Sequence, residues 1–127
     1  LPLFKTRQFQ VLYSPMENGK VEIALSKFRK PYNCAQTVYA AFKGGDAEGL
    51  EELSKCGGGK APEELCGALY SAVKLCPGAA DKIRAEFSEA TGSQFCREIK
   101  TVYRTPCEKC VEVAAKLVCE NISPESR

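Results

Sequence analysis

The chain has 127 residues, 44% apolar and 27% charged, the make-up of a single globular domain rather than of a disordered or fibrous chain. Eighteen Lys and Arg against sixteen Asp and Glu leave a net charge of +2 with the signs interspersed, so no basic footprint for nucleic acid or an anionic membrane surface is present. There is no His and no Trp, which excludes a histidine general base, a histidine-containing zinc site and histidine-ligated haem. No run approaches the roughly 18 apolar residues of a membrane span, and Lys5, Thr6 and Arg7 interrupt any leader-like apolar start.

What remains for chemistry is cysteine: Cys34, Cys56, Cys66, Cys76, Cys96, Cys107, Cys110 and Cys119. A chain of this length buries about two thirds of its unfolded surface, so its core does not depend on disulfide staples. The eight thiols therefore point toward function more than toward stapling.

Residues 1–20 read as an N-terminal arm and residues 21–127 as a cysteine-rich helical domain, one domain overall. In the arm, Phe9, Val11 and Tyr13 alternate with Gln8, Gln10 and Leu12, then Ser14 to Gly19 supply turn residues before Val21-Glu22-Ile23. That pattern is compatible with a short β-hairpin. A lone hairpin is marginal in water, so it is expected to pack on the helices or pair with a second copy, which favours a homodimer.

The rest predicts an all-α, compact bundle of about six short helices. Asn33 caps the first, which runs through Ala35, Val38, Ala41 and Phe42 to Gly44-Gly45. Asp46 caps a second, with Leu50 and Leu53 as its apolar side and Gly57-Gly58-Gly59 as its stop. Pro62 opens a third through Leu65, Leu69, Ala72, Val73 and Leu75, ended by Pro77-Gly78. A fourth covers Asp81 to Thr91 with Ile83 and Phe87 four apart, closed by Gly92. Ser93 opens a fifth carrying Phe95, Ile99 and Val102. Thr105-Pro106-Cys107-Glu108 reads as a capping box for a sixth, through Val111, Ala114, Ala115 and Val118.

On those helices the cysteines fall into two groups. Cys34, Cys66, Cys96 and Cys107 lie in or beside first turns, whose free amides and positive dipole end favour a thiolate. Cys56, Cys76 and Cys119 fall near C-termini, where the dipole raises a thiol's pKa, and Cys110 lies one turn beyond Cys107. Thiolates brought together repel unless something cationic sits among them, and a metal or iron–sulfur cluster meets that need. Cys107-x-x-Cys110, with proline before it and a helix after it, is also a redox dithiol motif. A second CxxC is missing, which disfavours structural zinc. Gly57-Gly58-Gly59-Lys60 lacks both the Gly-Lys-Ser/Thr ending and the preceding strand of a phosphate loop. The basic run Lys27-Phe28-Arg29-Lys30 is a solvated helix end that also suits an acidic redox partner.

Five segments, Tyr32-Asn33-Cys34-Ala35-Gln36-Thr37-Val38, Gly57-Gly58-Gly59, Cys66-Gly67-Ala68-Leu69, Phe95-Cys96-Arg97-Glu98-Ile99 and Pro106-Cys107-Glu108-Lys109-Cys110-Val111, stand in the order found in the C-GCAxxG-C-C family of redox-active proteins. The chain resembles that family over roughly residues 21 to 120, and is similar also to the non-haem part of split-Soret cytochromes c, without a CxxCH haem motif. The resemblance places the family's shared cysteines on Cys34, Cys66, Cys96 and Cys107, and implies a redox role. It departs where the family's second element ends in glycine: that glycine stands here as Ser71, or is shifted along the chain.

The leading expectation is an electron-transfer protein rather than an enzyme, holding an iron–sulfur cluster through Cys34, Cys66, Cys96 and Cys107, with Cys110 as a substitute ligand. A 2Fe–2S cluster is preferred over 4Fe–4S, with no haem. The partners expected are a redox protein, no nucleic acid and no membrane, in the cytoplasm. Two alternatives stay open: a thiol–disulfide oxidoreductase using Cys107 and Cys110, and a secreted, disulfide-stapled binding module. The latter lacks the adjacent Cys-Cys and Cys-x-Cys elements of plant lipid-transfer proteins, and saposin-like spacing.

Overall fold

A computed structural model describes residues 15–29, 32–44, 46–57 and 60–122. Among them the regular structure is helical: α1 Pro15–Lys27, α2 Cys34–Lys43, α3 Ala47–Leu53, α4 Gly67–Leu75, α5 Ala80–Thr91, α6 Cys96–Glu98 and α7 Cys107–Asn121. Short 3-10 turns at Pro62–Glu64 and Pro77–Ala79 and a π turn at Ile99–Tyr103 join them.

The hairpin does not form where the structure describes it. Pro15, read as part of a turn, is instead the first residue of α1, where its fixed φ and missing N–H cost nothing, and Val21-Glu22-Ile23 continues that helix across the expected boundary at residue 20. Val21 and Ala24, three apart, are both buried, which is the helical period and not the strand period. The alternating residues 8–13 lie outside the described residues. With the second strand helical, the argument from a lone hairpin to a homodimer lapses.

α7 is the central element, packing against α1, α2, α4 and α5. Val111, Ala114, Ala115 and Val118 are fully buried along it, and Ile83 and Phe87 of α5 lie in the same core. α2 and α4 are also extensively packed against each other. Ala35, Ala68 and Ala72 are fully buried, and the Ser71 hydroxyl donates to the Ala35 carbonyl at 2.5 Å. Ser71 therefore does not keep the two helices apart, because its only side-chain polar atom is satisfied by the neighbouring backbone. Thr37 does the same toward α1, its hydroxyl donating to the Ala24 carbonyl.

Capping largely follows the sequence reading. The Asn33 side chain accepts from Gln36 N at 2.8 Å, and Asn33 N donates to Gln36 Oε1 at 3.1 Å, a reciprocal capping box. Asn33 Nδ2 also donates to the Leu53 and Ser54 carbonyls at 3.2 and 3.1 Å, tying the start of α2 to the end of α3. Asp46 caps α3 and accepts from the Tyr39 hydroxyl at 2.6 Å. That bond, with burial beside it, raises the phenol pKa to about 12, and the same bond with the Gly49 amide lowers that of the carboxyl although burial opposes it. Gly92, with φ at 105°, ends α5 as expected.

Three expected starts move. Pro62 opens only a 3-10 turn, because Leu65 is extended and bridges antiparallel to Phe95, while Cys66 N donates to Gln94 O at 2.9 Å. The helix restarts at Gly67. Thr105 does not cap α7: its hydroxyl donates to Thr91 O at 2.9 Å and Pro106 takes the cap position. Ser93 stands further ahead of its helix than expected, with Phe95 capping α6. The apolar side expected there holds only at Ile99, for Phe95 and Val102 are 40% and 66% exposed. The π turn after α6 breaks the 3.6-residue period, so Val102 falls out of register with Ile99.

Two outcomes follow from these contacts. Asn33→Ala removes the cap and both bonds to α3 and is expected to cost about 1–2 kcal/mol, read as a lowered thermal midpoint, with Asn33→Ser recovering part of the loss. Lys116 on α7 is 6% exposed, with its ammonium 4.0 Å from Glu120. Burial lowers its pKa from the ordinary 10.5 to about 8, so between those values the unfolded chain binds the more protons and stability rises with pH. Denaturant titrations from pH 7 to 10.5 on the native chain and on Lys116→Met should show the difference between their unfolding free energies rising with pH, the thiols and phenols that titrate in the same window being common to both.

Candidate thiol-rich site

Cys34, Cys96 and Cys107 are each the first residue of their helix, α2, α6 and α7, and Cys66 is the residue directly before α4. Local bonds set each of these starts. The Asn33 box fixes Cys34. The Ser93 hydroxyl accepts from Phe95 N at 3.1 Å and donates to Glu98 Oε1 at 2.6 Å, shaping the loop ahead of Cys96. The carbonyl of Pro106 accepts from Lys109 N at 3.0 Å and Cys110 N at 3.2 Å, closing the turn that carries Cys107. The Leu65–Phe95 bridge brings Cys66 beside Cys96.

These four cysteines meet. Together with Cys110, Ile99 and Lys100 they line one cavity of about 20 Å³, room for a single water-sized molecule, bounded mostly by carbon and sulfur. Cys110, expected as a substitute ligand, thus joins the set, whereas Cys56, Cys76 and Cys119 do not line the cavity. Gly67 makes the approach feasible: a Cβ there would lie 2.6 Å from the Cys56 carbonyl oxygen and 2.7 Å from Cys34 Sγ. The glycine of the Cys66-Gly67 pair is what lets the Cys34 sulfur sit against the start of α4.

Lys100 is not singled out by the sequence, and Ile99 figures there only as an apolar residue of its helix. The Lys100 ammonium donates to Cys107 Sγ. That bond, with the charges of Cys107, Cys96 and Cys34, raises the lysine pKa although burial opposes it. Lys100 stands four residues after Cys96, the spacing at which helical side chains share a face, and that signal was available in the chain. The cation that neighbouring thiolates require is therefore present as a side chain.

The expectation that helix starts hold the sulfurs as thiolates fails at two positions. Cys66 does accept from the Ala68 and Leu69 amides, but a hydrogen bond with the Cys110 thiol, burial and the nearby Cys110 sulfur push its pKa up. Burial first, then Cys66, raises Cys96 against the pull of Lys100. Desolvation and like charge outweigh first-turn amides here. Cys56 and Cys76 are raised as expected, though burial rather than the helix end is the leading cause.

Within the CxxC pair, Cys107 Sγ accepts from Lys100 and is half-buried, whereas Cys110 is almost fully buried. None of the eight cysteines is in a disulfide. Among the described residues no three His, Cys, Asp or Glu side chains form a group that could hold a single metal ion as they stand. The donor chemistry nevertheless suits a thiophilic group, with five sulfurs, first-turn amides, an apolar wall at Ile99 and no hard oxygen ligand among the lining residues, while the water-sized cavity requires the sulfurs to move apart before anything as large as a cluster enters. Comparison with family models, curated proteins and solved structures finds no match to this chain.

Gly67→Ala tests the packing that gathers the sulfurs. The new methyl meets a backbone oxygen that cannot yield cheaply, so a loss of about 1–3 kcal/mol in unfolding free energy is expected. Native alkylation of Cys34 should quicken in the same variant as its sulfur is displaced.

Proposed function

We propose that this chain is a small helical electron carrier of the C-GCAxxG-C-C type, whose thiol pocket holds one iron–sulfur cluster, 2Fe–2S in preference to 4Fe–4S. Cys34, Cys66, Cys96 and Cys107 are its ligands, and Cys110 is the sulfur able to replace one of them. The observation that supports the reading is the meeting of these cysteines, from four separate helix starts, in one cavity. A cluster there would supply one-electron chemistry, which none of the lining side chains offers.

The protein's own groups have definite tasks in this reading. The amides of Ala68 and Leu69 stabilise negative charge on Cys66. Lys100 offsets charge on Cys107, and Ile99, almost fully buried, limits water. Beside the pocket, exposed Phe95, Val102 and Tyr103 are interleaved with exposed Arg97, Lys100 and Arg104. Such a rim suits a redox protein with an acidic, partly apolar face. No described helix is long and apolar enough to cross a membrane. A reducing compartment such as the cytoplasm suits eight cysteines that form no disulfide.

The contact of Lys100 with Cys107 also favours a second reading, a thiol–disulfide oxidoreductase in which Cys107 attacks and Cys110 resolves. One experiment separates the two. Anaerobic reconstitution with ferrous iron and sulfide should give visible absorption and acid-labile sulfide. Serine at Cys34, Cys66, Cys96 or Cys107 should lower iron content severalfold, while serine at Cys56, Cys76 or Cys119 should leave it unchanged. A colourless, iron-free product after reconstitution overturns the cluster reading. If that product then cycles with a dithiol reductant and loses the cycling in Cys107→Ser, the oxidoreductase reading stands.

A further inference from the structure

The thiol cavity, about 20 Å³, is smaller than any iron–sulfur cluster, so one of its walls has to give way before loading. The segments that carry the five cysteines are not held equally. Cys34 leads into fully buried Ala35, and Cys107 and Cys110 belong to the central helix α7, where Cys110 leads into fully buried Val111. Cys66 lies between buried Leu65 and buried Gly67. Cys96 differs: Phe95 and Arg97 on either side of it are exposed, and from residue 96 to residue 104 the one buried side chain is Ile99. Among the described elements, α6 and the π turn pack extensively only on each other.

Both ends of that stretch are fastened. Ahead of it, Cys66 N donates to Gln94 O at 2.9 Å beside the Leu65–Phe95 bridge, and behind it the Thr105 hydroxyl donates to Thr91 O at 2.9 Å. Between the ends, four contacts hold it down: Ile99 in the core, the Lys100 ammonium on Cys107 Sγ, the Ser93 hydroxyl on Glu98 at 2.6 Å, and the Tyr103 ring over Gly92. Arg104, with φ 54° and ψ 33°, sits in the left-handed region that a residue with a Cβ occupies at a cost.

We infer that residues 96–104 form a strap over the thiol pocket, and that its swinging outward with Cys96 attached is what opens the pocket for a cluster to enter. Cys96, Ile99 and Lys100 are the strap's share of the cavity wall, so lifting it leaves Cys34, Cys66, Cys107 and Cys110 in place around an open side. Val102 and Tyr103 are 66% and 54% exposed in the closed form, so Ile99 is the main apolar burial lost on opening. Exposing one isoleucine side chain makes the open form a minority of about one molecule in a hundred. Release of Arg104 from its left-handed conformation offsets part of that cost. The loading role rests on the cluster reading, whereas the opening itself does not.

Two amides report the motion, because their bonds cross the ends of the strap: Ile99 N to Phe95 O at 3.0 Å and Thr105 N to Ile99 O at 3.1 Å. Hydrogen exchange is followed by NMR on the full chain, reduced, metal-free and anaerobic. Protection of about 100-fold is expected at these two amides, against at least about 10,000-fold for those of Val111 to Val118 in α7. Ile99→Val, which keeps the fold, should speed exchange at the two amides about threefold to tenfold. Arg104→Asn, better suited to the left-handed region, should slow it about twofold to fivefold. Strap amides as protected as those of α7, or indifferent to both variants, overturn the proposal. Anaerobic reconstitution with ferrous iron and sulfide then tests the loading role: the initial rate of visible absorption should rise in Ile99→Val and fall in Arg104→Asn, with equal final iron content. A rate unmoved by either variant overturns that role. A chain that takes up no iron sinks the cluster reading, and fast exchange at the two amides leaves the opening standing.

Discussion

Sulfur atoms crowded into a small apolar cavity can stay together only while few of them carry charge, or while a cation answers those that do. Everything about the thiol pocket is arranged around that limit. Cys66 and Cys96 are pushed toward the neutral thiol by burial and by the sulfurs beside them. Lys100 places an ammonium against Cys107, with Cys96 and Cys34 in its field. First-turn amides contribute at Cys66 but do not outweigh desolvation, since a partial dipole charge is a weaker influence than the loss of water around a thiolate.

The scaffold that maintains this crowding is short-range and backbone-driven. Small residues on α2 and α4 let those helices approach until Ser71 bonds the Ala35 carbonyl and Cys34 sits against Gly67. The Leu65–Phe95 bridge stops one helix from starting at Pro62 and starts another at Gly67, and in doing so sets Cys66 beside Cys96. α7 supplies both Cys107 and Cys110 while forming the centre of the core. The same helix thus carries the fold's main apolar burial and two of the five sulfurs, so a change that loosens its packing loosens the pocket with it.

A good part of this was legible along the chain. Helix identity from Asn33 to Asn121 followed from caps, glycine stops and apolar spacing, since those signals act over a few residues. The Asn33 cap, the Asp46 cap and the Gly92 stop stand as read. The grouping of Cys34, Cys66, Cys96 and Cys107 was legible for a related reason: a position in a first turn is a local property, and four such positions share a chemistry. The N-terminal reading failed at Val21 to Ile23, where hydrophobic alternation over three residues is too short to distinguish a strand from one face of a helix. Burial of Val21 and Ala24 against α7 resolves it as helix.

The residue order alone thus specifies helices, their caps and a set of cysteines at helix starts, because all of these arise from interactions within a turn or two. Which sulfur meets which depends on contacts between segments far apart in the chain. The meeting of Cys110 with Cys66 at one cavity, the arrival of Lys100 at Cys107 and the outward turn of Val102 come from the Leu65–Phe95 bridge, the π turn and the packing around α7. No spacing rule encodes these, since each is the resolution of a competition between backbone pairing and helix continuation that is settled only when the core closes.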